Sequence, residues 1–119
     1  MRHWTLHEVE TPRALRSPVV LHSRDGAERV VLIELGPGEE LGEHGVKESA
    51  LLHVLDGAVR VEAGDESVDA GRGDLFQFDP DERHSVTSED GARLLLTLAP
   101  WPGDGHYRGE ELGSGVSAS

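Results

Sequence analysis

The fold is clearest in residues 70–86, AGRGDLFQFDPDERHSV. A glycine-rich turn at the start leads into an apolar run in which Phe76 and Phe78 share one face and Gln77 occupies the other. Alternation with a period of two is typical of a half-buried β-strand. A turn that contains proline then leads to a second apolar run, which begins at His84. The stretch therefore predicts two short strands joined by a turn.

The rest of the chain contains similar short runs. Each is three to eight residues long, the length of a strand, and no segment has the i, i+3, i+4 apolar spacing of an amphipathic helix. Asp-Gly or Gly-Asp pairs at 25–26, 56–57, 64–65 and 90–91 separate several runs, and glycine supplies the positive φ of a hairpin turn. The pattern predicts a small antiparallel sandwich or barrel. The runs are Val19–Leu21, Val30–Leu35, Ala50–Leu55, Ala58–Ala63, Leu75–Phe78, His84–Thr87 and Ala92–Ala99.

Two of these runs, Val30–Ile33 and Leu94–Leu96, are apolar on both faces. A strand of this kind is covered on both sides. The cover is either a second sheet together with a subunit partner, or the chain's own termini. We therefore expect a homodimer, and Val31 and Leu95 are positions at which a charged substitution would test it.

Composition narrows the class of protein. The 119 residues are the length of a single domain. They include 11 Lys+Arg and 23 Asp+Glu, which gives a formal net charge of −12. This charge argues against binding to nucleic acid or to anionic membrane surfaces. There is no cysteine, no apolar run of membrane-spanning length, and no phosphate-binding or dinucleotide fingerprint. We expect a soluble cytoplasmic protein without a nucleotide cofactor.

Two blocks of sequence resemble the small cupins of the conserved-barrel type. The first block runs from Gly36-Pro37-Gly38 through Leu41-Gly42-Glu43-His44 to Leu52-His53-Val54-Leu55-Asp56-Gly57, and the second is the stretch 70–86. The resemblance implies an all-β fold, an antiparallel double-stranded β-helix or jelly-roll barrel. It places a cupin barrel domain in residues 1–110, with the core motifs in 36–100. Residues 111–119, which are poor in apolar side chains, are expected to form a disordered tail.

The resemblance also implies a metal site built from His-x-His, a glutamate four residues further on and a histidine of the second block. In this sequence His44 and His84 occupy the first and last positions, but Val46 and Ala50 stand at the other two. Glu48 lies two residues from each of them and is the candidate third ligand. His44, His84 and Glu48 would then form a two-His–one-carboxylate site for a divalent transition metal such as Fe, Mn, Ni or Zn.

The alternative is that His44 and His84 are neutral histidines of an apolar pocket. Leu52, Val54, Phe76 and Phe78 are the predicted pocket residues. His84 lies beside them at the predicted barrel mouth. It is interpreted either as a general acid or base or as a structural histidine without a catalytic role. Counting by twos from Ala50 places His53 on the opposite face, at a sheet-packing or dimer surface.

An aromatic segment follows the last predicted strand and includes Trp101, His106 and Tyr107. It is interpreted as a lid over a barrel opening, as a plug in the gap between protomers, or as a strap that packs on the outer sheet.

Three functions remain open at this stage. The first is a small-molecule-binding cupin with a degenerate or absent metal site. The second is a metal-dependent dioxygenase or isomerase that uses His44, His84 and Glu48, by analogy with the family. The third is a dimeric structural module whose barrel is simply filled. The sequence identifies neither a substrate nor a reaction.

Overall fold

The computed structural model describes residues 1–11, 18–44 and 46–101, without the side chains of Glu43 and His44. These residues form eight β-strands and one short 3-10 helix, Leu6–Glu8. No helix among them is long and apolar enough to cross a membrane. The strands are β1 (Val19–Ser23), β2 (Ala27–Leu35), β3 (Glu40–His44), β4 (Ser49–Ala63), β5 (Glu66–Gly71), β6 (Leu75–Phe78), β7 (His84–Thr87) and β8 (Ala92–Trp101).

The strands are antiparallel and form two layers that share β4. Residues 49–57 of β4 belong to the first sheet, whose strand order is β1-β2-β8-β4-β6. Residues 58–63 of β4 belong to the second sheet, whose order is β3-β7-β4-β5. An antiparallel sheet that curls into two layers in this way is a double-stranded β-helix. The predicted fold class is therefore confirmed.

The Asp56-Gly57 pair is not the hairpin turn that the sequence predicted. Strand β4 continues through it, with a register shift between Val54 and Asp56 close to where the strand passes from one sheet to the other. Gly57 has φ +83°, and a Cβ at this position would lie 2.3 Å from the carbonyl oxygen of Gly91. The glycine is required by a bend and a close backbone approach inside a continuous strand. The other three pairs lie between consecutive strands, as predicted.

The apolar core lies between the two sheets. Alternate residues of β8 face it, and the register sets Leu94, Leu96 and Leu98 opposite inward residues of β4. Trp101 is buried at one end of the core. The guanidinium of Arg29 lies over its ring, 4.6 Å from the ring centroid. The buried residues of the cluster are Val31, Ile33, Leu35, Val46, Ala50, Leu52, Val54, Val59, Val61, Ala70, Phe78, Val86, Ala92, Leu94, Leu96, Leu98 and Trp101.

The outer faces of the two sheets differ in polarity. In each sheet the register aligns one outward-facing residue of every strand into a row, since directly paired residues share a face. The row of the first sheet is Val19, Leu32, Leu95, His53 and Leu75, which is apolar apart from the imidazole. The row of the second sheet is Glu40, Thr87, Arg60 and Asp69, which is polar throughout.

The N-terminal segment, residues 1–11, crosses part of the outer face of the first sheet. Near β1, the Trp4 ring lies 6.4 Å from that of His22, measured between centroids. At the other end, Arg93 Nη2 donates a hydrogen bond to the Val9 carbonyl. Leu32, which lies on this face between the two anchor points, is fully buried. The chain's own terminus therefore covers the part of the face formed by β1 and β2.

Candidate ligand-binding site in the barrel

The imidazole of His84 has a defined environment inside the barrel. His84 is the first residue of β7 and is 4% exposed. Its ring is parallel to that of Phe78, with the centroids 3.8 Å apart and an interplanar angle of 2°. The Nδ1 atom lies 3.2 Å from the Glu82 carbonyl oxygen. A carbonyl can only accept, so Nδ1 is the donor in this contact, and in a neutral imidazole Nε2 is then the acceptor nitrogen.

Apolar side chains surround this histidine. Phe76 and Phe78 project from the inner face of β6, with parallel rings whose centroids are 6.3 Å apart. In the register, Phe76 lies opposite Leu52, and Phe78 lies opposite Ala50. Phe78 and Leu52 are buried, whereas Phe76 is half-buried and packs against the edge of the core. Val54, the next inward residue of β4, is fully buried.

The loops before β4 and before β7 meet beside this site. The Asp81 N–H donates to the Val46 carbonyl at 2.6 Å and joins the two loops. Val46 and Glu48 are both buried, at 4% and 3% exposed. The β3–β7 register places His44 opposite His84, and the side chain of His44 lies outside the described residues.

The arrangement is typical of one family. Residues 31–98, more than half of the chain, match the family model of the cupin domain. The chain belongs to the cupin family. A comparison with curated protein sequences gives no significant match.

Solved structures share this fold at low sequence identity. TT1209 from Thermus thermophilus is 23% identical with a TM-score of 0.75, over 86% of this chain and 100% of the other. An RmlC-like cupin protein from Desulfovibrio desulfuricans is 23% identical with a TM-score of 0.74, over 84% and 97%. The cupin domain of Cnp3 from Schizosaccharomyces pombe is 15% identical with a TM-score of 0.70, over 80% and 66%. At these identities the likeness shows the fold alone.

The full metal-ligand set of the family pattern does not fit this cupin. Two of its four positions are Val46 and Ala50, which are buried in the apolar core and have no atom that can bind a metal. Within the described side chains, no group of three or more His, Cys, Asp or Glu is placed to hold a metal ion. The remaining candidates of the sequence analysis are His44, His84 and Glu48.

Two further predicted features can be located in this cupin. His53 is half-buried on the outer face of the first sheet, between Leu95 and Leu75 in the register. Trp101 belongs neither to a lid nor to an outer strap, because it is the last residue of β8 and is buried in the core. His106 and Tyr107, like the predicted tail 111–119, lie outside the described residues.

A shallow groove of about 440 Å³ lies on the second sheet, away from the barrel interior. It is lined by residues that include Arg60, Asp69 and Glu89. Arg60 Nε donates to Asp69 Oδ1 at 3.1 Å, and this hydrogen bond and the charge of Asp69 raise the pKa of the guanidinium. Both side chains are exposed, so the pair is a solvated surface contact.

Proposed function

We propose that this cupin binds a small organic molecule in its barrel without a complete metal site. The observation that supports it best is the buried imidazole of His84, held parallel to Phe78 and oriented by the Glu82 carbonyl. A buried polar side chain among apolar ones can fix the orientation of a ligand, whose apolar body contacts the apolar side chains. Valine and alanine at two ligand positions favour this function over metal catalysis.

The chemistry of these side chains defines the class of ligand. Phe76, Leu52 and Val54 provide apolar contacts, and aromatic rings stack on planar groups. The acceptor Nε2 of neutral His84 takes a hydrogen bond from an O–H or N–H donor. We therefore propose a planar, largely apolar ligand with one hydroxyl group, such as a phenol.

A thermal-shift screen tests this proposal. Phenol, 2-naphthol and benzyl alcohol are each titrated against the purified protein with and without EDTA. A ligand at a free concentration of about 100 times its Kd raises the free energy of unfolding of the protein that binds it by about 2.7 kcal/mol. We expect an increase in Tm that EDTA leaves unchanged, that His84→Gln abolishes, and that His22→Gln retains because His22 lies on β1, outside the barrel. A shift that persists in His84→Gln, or no shift with any probe, contradicts the proposal.

A metal-dependent dioxygenase or isomerase is the second candidate. One observation favours it: Glu48 is a carboxylate only 3% exposed, on a loop tied to the loop that precedes His84. His44 lies opposite His84 in the register. Glu48 and the two histidines would then supply three ligands. A metal bound there would act as a Lewis acid towards an oxygen of the substrate.

Metal content tests the second candidate. The protein is purified without a tag, soaked in Fe(II), Mn(II), Ni(II) or Zn(II), and analysed by elemental mass spectrometry. The metal hypothesis predicts a stoichiometric ion that Glu48→Gln loses and that the exposed control Glu62→Gln retains. Protein that takes up no metal under these conditions excludes this candidate.

The third candidate is a dimeric structural module, and homodimer formation is compatible with all three. Leu51 and Leu75 on the outer face of the first sheet are 42% and 62% exposed, which supports a dimer because clustered exposed apolar side chains mark interaction sites. Leu95 lies on the same face, whereas Val31 is buried in the core, where a charge would disrupt the fold and not test the dimer. A cytoplasmic location is part of the same proposal. The chain contains no cysteine and so forms no disulfide that would require an oxidising compartment.

A further inference from the structure

The turn before β7 contains a backbone outlier. Asp81 has φ +66°, and among the described residues it is the only non-glycine residue with a positive φ. An L side chain is unfavourable in this region, because its Cβ crowds the following carbonyl oxygen. Such a conformation persists only where the surrounding structure holds it, and residues of this kind cluster at functional sites. Asp81 lies three residues before His84, which connects the outlier with the barrel site.

The outlier belongs to a type II turn that begins at Asp79. Pro80 occupies the second position of the turn and Asp81 the third. The Glu82 N–H donates to the Asp79 carbonyl at 3.0 Å. The Glu82 carboxylate closes the turn a second time, because its Oε1 accepts from the Asp79 N–H at 2.9 Å. The Glu82 carbonyl lies 3.2 Å from Nδ1 of His84. One residue therefore both closes the turn and orients the imidazole.

The peptide between Pro80 and Asp81 is held by the neighbouring loop. Types I and II differ by a rotation of this central peptide of about 180°, and a non-glycine residue at the third position favours type I. The Asp81 N–H donates to the Val46 carbonyl at 2.6 Å, and this bond holds the peptide in the type II orientation. The loop before β4 therefore fixes the turn, and the turn presents the carbonyl that accepts from His84.

The chain contains a second turn with the same plan, which begins at Gly36. Pro37 again occupies the second position, and the third is Gly38, with φ +77°. The Glu39 N–H donates to the Gly36 carbonyl at 3.0 Å, and Glu39 Oε1 accepts from the Gly36 N–H. The Gly38 N–H donates to the carbonyl of Ser88, directly after β7, at 2.9 Å. This turn shares the carboxylate cap but lies at the opposite end of β7 from the imidazole, which makes it a control within the same protein.

We propose that Glu82 is a positioning residue of the barrel site, whose carboxylate holds the neutral ring of His84 in the tautomer that accepts at Nε2. Without the cap the Asp79 N–H bonds to water instead, and the turn keeps one of its two closing hydrogen bonds. The carbonyl that accepts from Nδ1 is then less fixed, and the ring carries its proton on either nitrogen. Only molecules with an unprotonated Nε2 accept from a hydroxyl, so the apparent Kd rises as their fraction falls. The effect on binding rests on the ligand proposed above, whereas the effect on the tautomer does not.

Long-range 1H–15N correlation spectra measure the tautomer at about pH 8.5, where imidazoles are neutral, and His84→Gln assigns the signals of this ring. We expect mainly the Nδ1–H form in the unaltered protein and the Nε2–H form in about half or more of the molecules of Glu82→Ala. Glu82→Gln should restore the Nδ1–H form, because its amide oxygen accepts from the Asp79 N–H. Glu39→Ala removes the same cap from the other turn and should leave the spectrum of His84 unchanged.

Calorimetric titration of the same variants with phenol tests the consequence for binding. The Kd of Glu82→Ala should be about twofold or more higher, in proportion to the reciprocal of its Nδ1–H fraction, and that of Glu39→Ala unchanged. An Nδ1–H form that persists in Glu82→Ala, or an equal change in Glu39→Ala, refutes the positioning role. A Glu82→Gln variant that behaves like Glu82→Ala refutes the hydrogen bond as its cause. If the tautomer shifts as expected but phenol binds none of these proteins, the ligand proposed above is wrong and the role of Glu82 stands.

Discussion

The ring of His84 lies parallel to that of Phe78 at a centroid distance of 3.8 Å, although the two residues are six positions apart in the chain. The contact joins β6 to the start of β7 across a turn that contains proline. It holds the imidazole flat against an apolar wall, while the Glu82 carbonyl fixes its tautomer. The phenyl ring therefore both packs in the core and orients the one histidine that the barrel interior presents among the described side chains.

Replacing Phe78 with leucine should remove this contact. We expect Phe78→Leu to lower the free energy of unfolding by about 2 kcal/mol, because a buried aromatic ring and its stacking contact with His84 are lost together. Phe76→Leu is the matched control: its ring is half-buried and it has no stacking contact with His84. Urea denaturation followed by circular dichroism measures both. Equal losses for the two variants would show that the stack with His84 contributes nothing.

Introducing a histidine at Val46 should create metal affinity. Val46 stands at a family ligand position on the loop beside His84, and the substitution adds one imidazole to those proposed for His44 and His84. We expect Val46→His to bind Zn(II) or Ni(II) about tenfold or more tightly than the unaltered protein, measured by titration calorimetry. Lys47→His adds the same imidazole at the exposed neighbouring position and should leave the affinity unchanged. If both variants gain equally, position 46 does not face the site.

The strand pattern was predictable because it depends on local rules. Period-two alternation identified β6 from Phe76 and Phe78 alone, and proline and glycine placed its ends. The same rules failed at Asp56-Gly57. A positive-φ glycine serves a hairpin and a bend equally well, and only the long-range contact with Gly91 distinguishes the two.

The surroundings of the candidate site were less accessible to sequence reasoning. The residue count from Ala50 placed His53 on the outer face, because a strand has only two faces. No sequence signal indicates that Trp101 would close the core, since its place depends on where β8 ends against Ala27 of β2. The hydrogen bond from His84 to Glu82 also escapes prediction, because its acceptor is a backbone carbonyl, which every residue has.

Adding a methyl group at Gly57 should be severely destabilising. The Cβ of Gly57→Ala would overlap the Gly91 carbonyl oxygen, and φ +83° is unfavourable for any L side chain. We expect a loss of more than about 3 kcal/mol in the free energy of unfolding. Gly26→Ala separates the two effects, because Gly26 has φ +78° but open space around it. That control should cost about 1 kcal/mol, the backbone contribution alone. Similar Tm decreases for both variants would contradict the close approach.

Removing the hydrogen bonds of Arg93 should expose the part of the first sheet that the N-terminal segment covers. Arg93 donates both to Glu34 and to the Val9 carbonyl, and Thr11 Oγ1 donates to Glu34 Oε1 at 2.5 Å. The ion pair is largely buried, with side chains 14% and 25% exposed. Arg93→Met should therefore lower the free energy of unfolding by about 2 kcal/mol. It should also speed amide hydrogen exchange in residues 1–11, which mass spectrometry measures.

Arg60→Met is the matched control, because Arg60 forms an ion pair with Asp69 but both side chains are exposed. It should change neither exchange in residues 1–11 nor stability measurably. Asp69 raises the pKa of Arg60, so any contribution of the charged guanidinium is lost as the pH rises through that raised value, well above neutral pH. The comparison therefore holds across neutral pH. If Arg93→Met leaves exchange in residues 1–11 unchanged, contacts other than the Arg93 anchor hold the segment on the sheet. The burial of Leu32 would then depend on those contacts.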